Sequence, residues 1–406
     1  MSFEGDNMMG LKRNNRRAAL KLLHEEGSMS RKRMAEHLSL TPAAISKIVG
    51  EMLSEGLLHE GNAIQSGSVG RREIMVELNN RCGYGLGILI NLRQAILSAA
   101  WLDSTVIFSE EVTLTDHAPT EETVQLLSKR MLELLAEHNL SRERAVGLGI
   151  AVRGICSVDG RNITDSFGAL EEGKFPLCQR FEELTGFSAV MMNNVKALFS
   201  AHMFLEKETN EGAQFFLRSE FGIGAALSVK GDIWHGVTEQ CAEIGHIPVV
   251  SRGGKPCSCG KSGCLETIAS PTAIREDALA ILSPDKTPIL WNISRKKGAE
   301  ALDIDDIMEA ALSGDEGIGR LVDRAVKVLA DALKSVIYLF DPDKIVLYGR
   351  MFDNPYYLSR LLGEMSQGVD TRHALTIEKS RYNHRLEEKA ACLLAVNAFF
   401  DRGGVR

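Results

Sequence analysis

The sequence predicts an α/β protein in which an N-terminal winged helix-turn-helix precedes a two-lobed body. Three short helices open the chain, and β-type runs and helices then follow one another twice. Residues 1–72 carry eleven Lys/Arg and eight Asp/Glu, a charge of +3, whereas the remainder carries 36 and 46, a charge of −10. A basic head on an acidic body is typical of a DNA-binding module joined to a part that does not contact DNA.

The composition indicates a globular protein with a sizeable core, because 44% of the 406 residues are hydrophobic and 25% are charged. This length predicts two to three domains. No apolar run reaches the roughly 20 residues of a membrane span. The first fifteen residues lack the apolar core of a signal peptide. We therefore expect a cytoplasmic protein with no membrane insertion.

The helix-turn-helix is predicted from caps and apolar spacing. Ser30 caps the run RKRMAEHL, and Thr41 caps a third helix with Pro42 at its first position. The inward positions of this third helix are apolar: Ile45, Ile48, Val49, Met52 and Leu53. Its outward positions are small or basic, as entry into the major groove requires. We predict that Thr41, Ala43, Ser46 and Lys47 contact DNA; the alternative is a three-helix bundle that binds another protein.

Two predicted strands, at 57–60 and 74–78, flank the loop GNAIQSGSVGRR and complete a winged helix-turn-helix. A flexible basic wing can reach phosphates or a narrow minor groove. We therefore add Arg71 and Arg72 to the predicted DNA contacts; alternatively, the pair only makes the surface soluble.

The body begins with strand-type runs at 83–90, 94–101 and 105–113, a helix at 120–138 and a strand at 145–152. A similar succession recurs later and includes a long helix at 320–340 and the strand KIVLY. This repetition predicts two related lobes with a ligand cleft between them. We expect a DNA-binding domain at 1–80, a first lobe at 81–192 with a terminal helix at 386–402 packing back, and a second lobe at 193–385.

A cluster of metal-ligand residues lies in the second lobe, in the loop 246–264. His246 is followed by Cys257, Cys259 and Cys264. Two cysteines that flank one residue cannot form a disulfide without strain, but three thiolates and an imidazole can complete a tetrahedral zinc site. A closed set of four ligands indicates one structural Zn²⁺ per chain. The alternatives are disulfides or free buried thiols.

The winged helix-turn-helix, EIGH at 243–246, CSCGKSGCLE at 257–266 and DPDKIVLYG at 341–349 together resemble the ROK family of repressors, open reading frames and kinases. This resemblance covers nearly the whole chain. It implies a two-lobed ribonuclease-H-like, actin-like ATPase fold that assembles as a homodimer or homotetramer. Members with a DNA-binding head are mostly sugar-responsive transcriptional repressors, and headless members are mostly sugar kinases.

The chain departs from the family kinases at four positions, so we expect no enzymatic activity. The first phosphate turn reads GILINLRQ without its carboxylate, and the second reads RSEFGIGAA, where Glu220 would repel phosphate. The glycine-rich nucleotide contact is reduced to YGRMF around Gly349. The catalytic Asn-Asp pair is Asn193–Asn194, and an amide cannot act as the base.

The resemblance also implies a sugar or sugar-phosphate effector bound by Asn193, Glu243, His246 and Glu266. The opposite wall of the family pocket is less well matched, because SFGALEEG at 166–173 lacks the family's asparagine and tryptophan. A regulator that has lost its sugar, or that answers to another molecule or a protein, is the alternative for the effector.

The predicted function is a transcriptional regulator that binds double-stranded operator DNA and represses carbohydrate-metabolism genes. The alternative function is a ROK-type ATP-dependent sugar kinase. The sign of the response, repression or activation, stays open.

Overall fold

The computed structural model describes residues 8–64, 73–115, 119–165, 174–207, 212–367, 375–383 and 385–405. This part of the chain forms two compact units. The described residues of the first unit come from 8–164, 174–207 and 385–405, and those of the second from 165 and 212–383.

The first unit opens with a head of three helices and a small sheet. Its elements are α1 (Met8–Glu26), β1 (Met29–Ser30), α2 (Arg31–His37), α3 (Pro42–Ser54), β2 (Leu58–Ile64) and β3 (Glu73–Leu78). The Ser30 hydroxyl accepts a hydrogen bond from the Arg33 N–H, and the Thr41 hydroxyl accepts one from the Ala44 N–H, each at 3.3 Å. These caps satisfy N–H groups that have no partner within the helix. The three strands pair antiparallel in the order β1-β3-β2, which confirms the predicted winged helix-turn-helix.

The first unit continues with an α/β lobe. Its elements are β4 (Tyr84–Ile90), β5 (Gln94–Trp101), β6 (Val106–Thr113), α4 (Glu121–Glu137), β7 (Ala145–Val152), β8 (Ile155–Cys156), β9 (Ile163–Asp165), α5 (Leu177–Thr185), β10 (Ala189–Asn193) and α6 (Asn194–Glu206). Five of these strands form one sheet in the order β10-β7-β4-β5-β6. Every residue of β4 is buried, as expected for a central strand that is covered on both faces.

The second unit is the other α/β lobe. Its elements are β11 (Ala213–Ser219), β12 (Ile223–Val229), β13 (Asp232–Ile233), α7 (Glu266–Ala269), α8 (Pro271–Ala280), α9 (Pro288–Lys297), α10 (Ile304–Leu312), α11 (Glu316–Phe340), β14 (Lys344–Tyr348), α12 (Arg350–Asp353), α13 (Pro355–Met365) and β15 (Thr376–Lys379). The strands pair in the order β13-β12-β11-β14-β15. The buried stripe of α11, including Val322, Val326, Leu329 and Leu333, packs in the core of this unit.

The two sheets share one topology. In each, three consecutive strands form an antiparallel meander, and two later strands add in parallel beside the first strand of that meander. Parallel neighbours need a crossover connection, which α4 supplies in the first unit and α11 in the second. The predicted repetition of the lobe is therefore confirmed.

The last helix, α14 (Arg385–Asp401), returns to the first unit and packs on β4 and β7. Its backbone lies so close to the sheet that glycine is required. A Cβ atom on Gly87 would lie 2.3 Å from the Cys392 nitrogen, and one on Gly149 would lie 1.9 Å from the Ala391 carbonyl oxygen. These distances are far below van der Waals contact, so any side chain at Gly87 or Gly149 would push α14 off the sheet.

Residue 193 and helix α6 also belong to the first unit, although the sequence division placed residues 193–385 in the second lobe. This helix packs on α14, and the Asn397 amide donates to the Ser200 hydroxyl at 3.1 Å. The division into a DNA-binding domain and two lobes stays a proposal.

Among the described residues, no helix combines the length and the apolar composition that crossing a membrane would require. All eight cysteines lie in this part of the chain, and no two of them form a disulfide.

Candidate metal centre and nucleic-acid interface

The loop that carries the predicted metal ligands is folded by tight backbone turns. The Cys257 N–H donates to the Lys261 carbonyl at 2.8 Å, and Gly260, within this turn, has a φ of +82°. Gly263 has a φ of +75°, and a Cβ there would lie 2.2 Å from the Val250 carbonyl oxygen. Only glycine tolerates both the left-handed conformation and this close approach. The turns bring residues that are distant in sequence onto one side of the loop.

The four predicted metal ligands lie together. The ligand atoms of His246, Cys257, Cys259 and Cys264 are all within 4.8 Å of one another. His246 Nδ1 lies 3.4 Å from the Cys257 sulfur, and the Cys259 and Cys264 sulfurs are 3.6 Å apart. His246 ends a single 3₁₀ turn, Ile244–His246, and Cys264 is fully buried just before α7. The cluster could hold a metal ion.

A carboxylate lies beside this cluster. Glu266 is the first residue of α7, and its Oε1 lies 3.4 Å from the Cys257 sulfur and 3.7 Å from His246 Nδ1. The Ser258 hydroxyl donates to the same oxygen at 3.4 Å. The structure therefore brings one residue of the predicted effector set into contact with two of the metal-ligand residues.

The thiols of the cluster differ in acidity. Burial raises the pKa of Cys257, and it also raises that of Cys264. Burial acts in the same direction on Cys259, but hydrogen bonds from the Lys261 N–H and from the neighbouring thiols outweigh it and lower the pKa of Cys259. Thiolates are the form that binds metals, so the lowered pKa of Cys259 favours its role as a ligand.

The other two predicted effector residues lie at the starts of helical segments. Glu243 directly precedes the Ile244–His246 turn and is half-buried. Asn193 belongs to the first unit, where it caps α6: its Oδ1 accepts from the Val195 N–H at 2.9 Å, and its Nδ2 donates to the Gly154 carbonyl at 2.9 Å. The stretch 166–173, predicted to form the opposite wall of the pocket, lies outside the described residues.

Asn194, at the position where the sequence predicts that the base of a kinase is missing, is buried in the first unit. It is 5% exposed, and its side chain donates to Asn91 Oδ1 at 3.3 Å. Asn91 lies in the turn after β4, where the sequence lacks the carboxylate of family kinases. The two amide side chains therefore bond to each other.

In the second unit, Glu220 follows β11 and faces the turn that follows β14. Its Oε1 accepts a hydrogen bond from the Arg350 N–H at 2.8 Å. A Cβ on Gly349, whose φ is +118°, would lie 2.2 Å from the Ser219 carbonyl oxygen. The Arg350 guanidinium is itself paired with Asp305. Glu220, from the stretch RSEFGIGAA, thus accepts a hydrogen bond from a backbone N–H of the stretch YGRMF.

The predicted recognition helix has the expected two faces. Ile45, Ile48, Val49 and Met52 are buried, whereas the side chains predicted to contact DNA, Thr41, Ala43, Ser46 and Lys47, are all exposed. Arg71 and Arg72 lie outside the described residues.

Sequence reasoning missed the contacts that join the head to the lobe. His24 contacts Phe204 at the end of α6, and Arg16 contacts Gly403 beyond α14. Each pair is separated by 180 residues or more. Both side chains lie on the inner face of an amphipathic helix, and this position is the only sign that the sequence gives of them.

Comparison with known proteins gives a consistent set of relatives. The sequence profile of the ROK family matches residues 96–390. The DNA-binding transcriptional dual regulator NagC of Escherichia coli K12 is 26% identical over 345 residues, which cover 84% of this chain and 81% of NagC. The xylose repressor of Bacillus subtilis is 22% identical over 374 residues, 88% of each chain. A glucokinase of Halalkalibacterium halodurans is 32% identical over 234 residues, 57% of this chain and 68% of the glucokinase.

Two solved structures share the fold. A ROK family transcriptional regulator described as a homologue of the E. coli Mlc protein superposes with a TM-score of 0.76 at 22% identity and covers 97% of both chains. A ROK family glucokinase from Streptomyces griseus superposes with a TM-score of 0.63 at 19% identity and covers 77% of this chain and 99% of its own. The superposition with the regulator therefore extends over a part of this chain that the glucokinase superposition leaves out.

Proposed function

Because this chain belongs to the ROK family, we propose that it is a DNA-binding transcriptional regulator that represses carbohydrate-metabolism genes. The ROK domain then senses an effector and holds the chains of an oligomer together, and it does not phosphorylate sugars. The observation that carries the proposal is the exposed, small and basic face of α3 on a winged helix-turn-helix head.

The recognition helix is suited to the major groove. Ala43 and Ser46 are short enough to let the backbone of α3 approach base edges, and Lys47 adds a cation for a phosphate or a guanine. The relatives support this role, since NagC is a DNA-binding regulator and the B. subtilis relative is a xylose repressor. We propose double-stranded operator DNA as the target and the cytoplasm as the place where the protein acts.

The absence of kinase activity is proposed from the chemistry that phosphoryl transfer needs. A base must accept the proton of the sugar hydroxyl, and N–H groups must cradle the phosphates. At the position of the base, Asn194 has only an amide. At the second phosphate turn, Glu220 adds a negative charge and uses the Arg350 N–H for itself. A relative that is a glucokinase keeps the alternative worth testing.

The four clustered ligand residues suit zinc. Zn–S bonds of about 2.3 Å in tetrahedral geometry place two sulfurs about 3.8 Å apart, close to the 3.6 Å between Cys259 and Cys264. His246, Cys257, Cys259 and Cys264 would hold one Zn²⁺, which would fix the loop that precedes α7. Since four protein ligands leave no open position, we propose a structural role for the metal.

A sugar or sugar-phosphate effector would bind Asn193, Glu243, His246 and Glu266. Carboxylates suit the task because each oxygen accepts strong hydrogen bonds from adjacent hydroxyls. His246 would link the effector to the metal loop: its Nδ1 faces the Cys257 sulfur, so Nε2 would be the nitrogen that meets the ligand. We propose that occupancy changes the spacing of the two heads in a homodimer or homotetramer, because half-sites on DNA have a fixed spacing.

Two assays on the same preparation test this function. Duplexes that the protein retains from a random-sequence pool are measured by mobility shift, with and without glucose, N-acetylglucosamine and xylose. ATP-dependent phosphorylation of the same three sugars is measured in parallel. We expect sequence-selective DNA binding and no phosphorylation. Sugar-dependent turnover of ATP without selective DNA binding would replace the proposal with the kinase.

A further inference from the structure

Arg16 connects the head of the first unit to the end of its last helix. It lies in the middle of α1 and is 5% exposed. Its Nε donates to the Gly403 carbonyl oxygen at 2.7 Å, and its Nη1 donates to Glu55 Oε1 at 2.8 Å. Its Nη2 bonds the other oxygen of the same carboxylate. One guanidinium therefore joins a residue beyond α14 to the residue that directly follows α3.

These two partners fix the guanidinium in one place. The group stays charged at all relevant pH values, and a buried charge requires hydrogen-bonding partners. Its planar fork fits a carboxylate with two parallel bonds, while Nε points in a different direction, toward Gly403. An ammonium is a point charge and could not span both partners in this way. The distance between Glu55 and Gly403 is thus set by the shape of the Arg16 side chain.

A close apolar contact supports the same junction. Gly404 has a φ of +79°, and a Cβ there would lie 2.7 Å from Leu57 Cδ1 and 3.3 Å from Leu20 Cδ1. Leu57 lies between α3 and β2, and Leu20 lies on the buried face of α1. The chain beyond α14 therefore packs against α1 and against the segment that directly follows the recognition helix.

The neighbouring ion pairs are weaker candidates for this task. Asp401 accepts from Arg17 at 2.9 Å and from Lys21 at 3.2 Å, but these side chains are 38% to 46% exposed. Exposed ion pairs contribute little to the stability of a fold, and added salt weakens them further. Arg16 differs because its own side chain is only 6% exposed and its bond to the Gly403 carbonyl is buried, although its other partner, Glu55, is 44% exposed. Replacing Arg16 therefore removes a hydrogen bond from the interior of the unit.

We propose that Arg16 is a positioning residue for the recognition helix. Its guanidinium binds Glu55 and the Gly403 carbonyl at the same time and thereby sets the angle of α3 on the first lobe. This angle keeps the head in the orientation that binds DNA. The part of this inference that concerns DNA rests on the proposed function, whereas the part that concerns orientation does not.

The orientation is tested without DNA. Ketone-bearing residues replace Ser46 on α3 and Leu126 on α4, both exposed positions of the first unit, and they take oxime spin labels that leave the native thiols untouched. Labelled chains are diluted with an excess of unlabelled chains, so that double electron–electron resonance gives the distribution of distances between head and lobe within one chain. We expect one narrow peak for the unsubstituted protein and a broad or shifted distribution for Arg16→Met.

Two substitutions separate geometry from charge and from general damage. Arg16→Lys keeps the charge but cannot bridge both partners, so we expect it to broaden the distribution as Arg16→Met does. Arg17→Gln removes a neighbouring, more exposed charge and should keep the narrow peak. A narrow peak for Arg16→Met overturns the proposal, and so does a narrow peak for Arg16→Lys, because charge alone would then suffice.

If Arg16→Met does not fold, judged by circular dichroism and thermal unfolding, Gly404→Ala replaces it. The added methyl group would press on Leu57 and move the chain end away from α3. Gly27→Ala is its matched control, since Gly27 has a φ of +77° but nothing within 4 Å of an added Cβ. Broadening by Gly404→Ala and not by Gly27→Ala supports the junction; equal distributions for the two variants overturn it.

DNA binding is measured on unlabelled protein with a duplex that the unsubstituted chain selects from a random pool. If the loosened head spends about a tenth of its time in the competent orientation, affinity falls about tenfold. We expect this loss for Arg16→Met and Arg16→Lys and not for Arg17→Gln. If both Arg16 variants bind the duplex with unchanged affinity, the inference that Arg16 positions the head for DNA binding is overturned. If the unsubstituted chain selects no duplex, the proposed function fails, and the distance distributions still decide the positioning role.

Discussion

The imidazole of His24 stacks on the ring of Phe204, with centroids 3.9 Å apart and an interplanar angle of 28°. Its Nε2 lies 3.0 Å from the carbonyl oxygen of the same residue. His24 lies on α1 of the head, and Phe204 is near the end of α6, the helix that begins at Asn193–Asn194. The two ends of α6 thus lie at the predicted effector contact and at the head.

This contact should make stability depend on pH. Burial lowers the pKa of His24 below its usual 6.5; the Phe204 carbonyl opposes this, Lys207 adds to it and Asp103 opposes it. Because the folded state favours the neutral ring, its contribution is complete above pH 6.5 and is lost as pH falls from 6.5 toward the lowered pKa.

Thermal unfolding between pH 5 and 8 checks this expectation. His24→Phe keeps an aromatic ring but removes the titration, so its unfolding temperature should fall less at low pH. The control is His59→Phe, because His59 is exposed beside Glu77. An identical pH profile for His24→Phe and the unsubstituted protein would contradict the prediction.

Removing one thiol should remove the metal. We expect one zinc per chain by plasma mass spectrometry, a loss of at least tenfold in zinc affinity for Cys259→Ser, and early proteolysis of the loop 246–264. Cys241→Ser, in the same unit but outside the cluster, should keep its zinc. Full zinc content in Cys259→Ser would exclude Cys259 as a ligand.

Restoring the base alone should not create a kinase. Asn194→Asp supplies the missing carboxylate, but Glu220 still occupies the Arg350 N–H. We expect no ATP-dependent phosphorylation of glucose, N-acetylglucosamine or xylose above the background of the unsubstituted protein, measured by ADP release. Sugar-dependent ADP release by the single variant would show that the phosphate turns are still competent.

Lys47→Ala should weaken DNA binding about tenfold and reduce the slope of log affinity against log salt by about 1 if the lysine meets a phosphate. If it meets a guanine instead, the loss should depend on sequence. Fluorescence anisotropy titrations at several salt concentrations distinguish these cases. Lys129→Ala, on α4 and 79% exposed in its side chain, is the matched control and should change neither quantity.

Gly149→Ala should lower the free energy of unfolding by about 3 kcal/mol, because the new methyl group overlaps the Ala391 carbonyl of α14. Gly319→Ala, on α11 with nothing near its Cβ position, should instead raise it by about 0.5–1 kcal/mol through helix propensity. Urea denaturation monitored by circular dichroism measures both. Similar changes in the free energy of unfolding for the two variants would mean that α14 can shift away from the sheet at little cost.

The sequence was sufficient where one local rule decides the structure. Ser30 and Thr41 predicted the starts of α2 and α3, which they cap. The short spacing of Cys257, Cys259 and Cys264 predicted that their thiols cluster. The recurring strand pattern likewise predicted two related lobes.

Contacts between distant parts of the chain could not be predicted in the same way. Nothing near Arg16 indicates Gly403, and nothing near Asn194 indicates that α6 packs on α14. The contact of Glu266 with Cys257 depends on how the loop turns at Gly260 and Gly263, and spacing alone does not give that direction. Which side chains meet is decided by tertiary packing, for which one sequence contains no direct record.

The close packing of α14 on β4 and β7 affects the order in which the chain can fold during its synthesis. These strands leave the ribosome some 240 to 300 residues before α14, so their glycine-lined face stays uncovered while the second lobe is being made. Only when residues 385–405 emerge can that face close and Arg16 find Gly403. If Arg16 sets the angle of α3 as proposed, a nascent chain carries its recognition helix long before the contact that orients this helix can form.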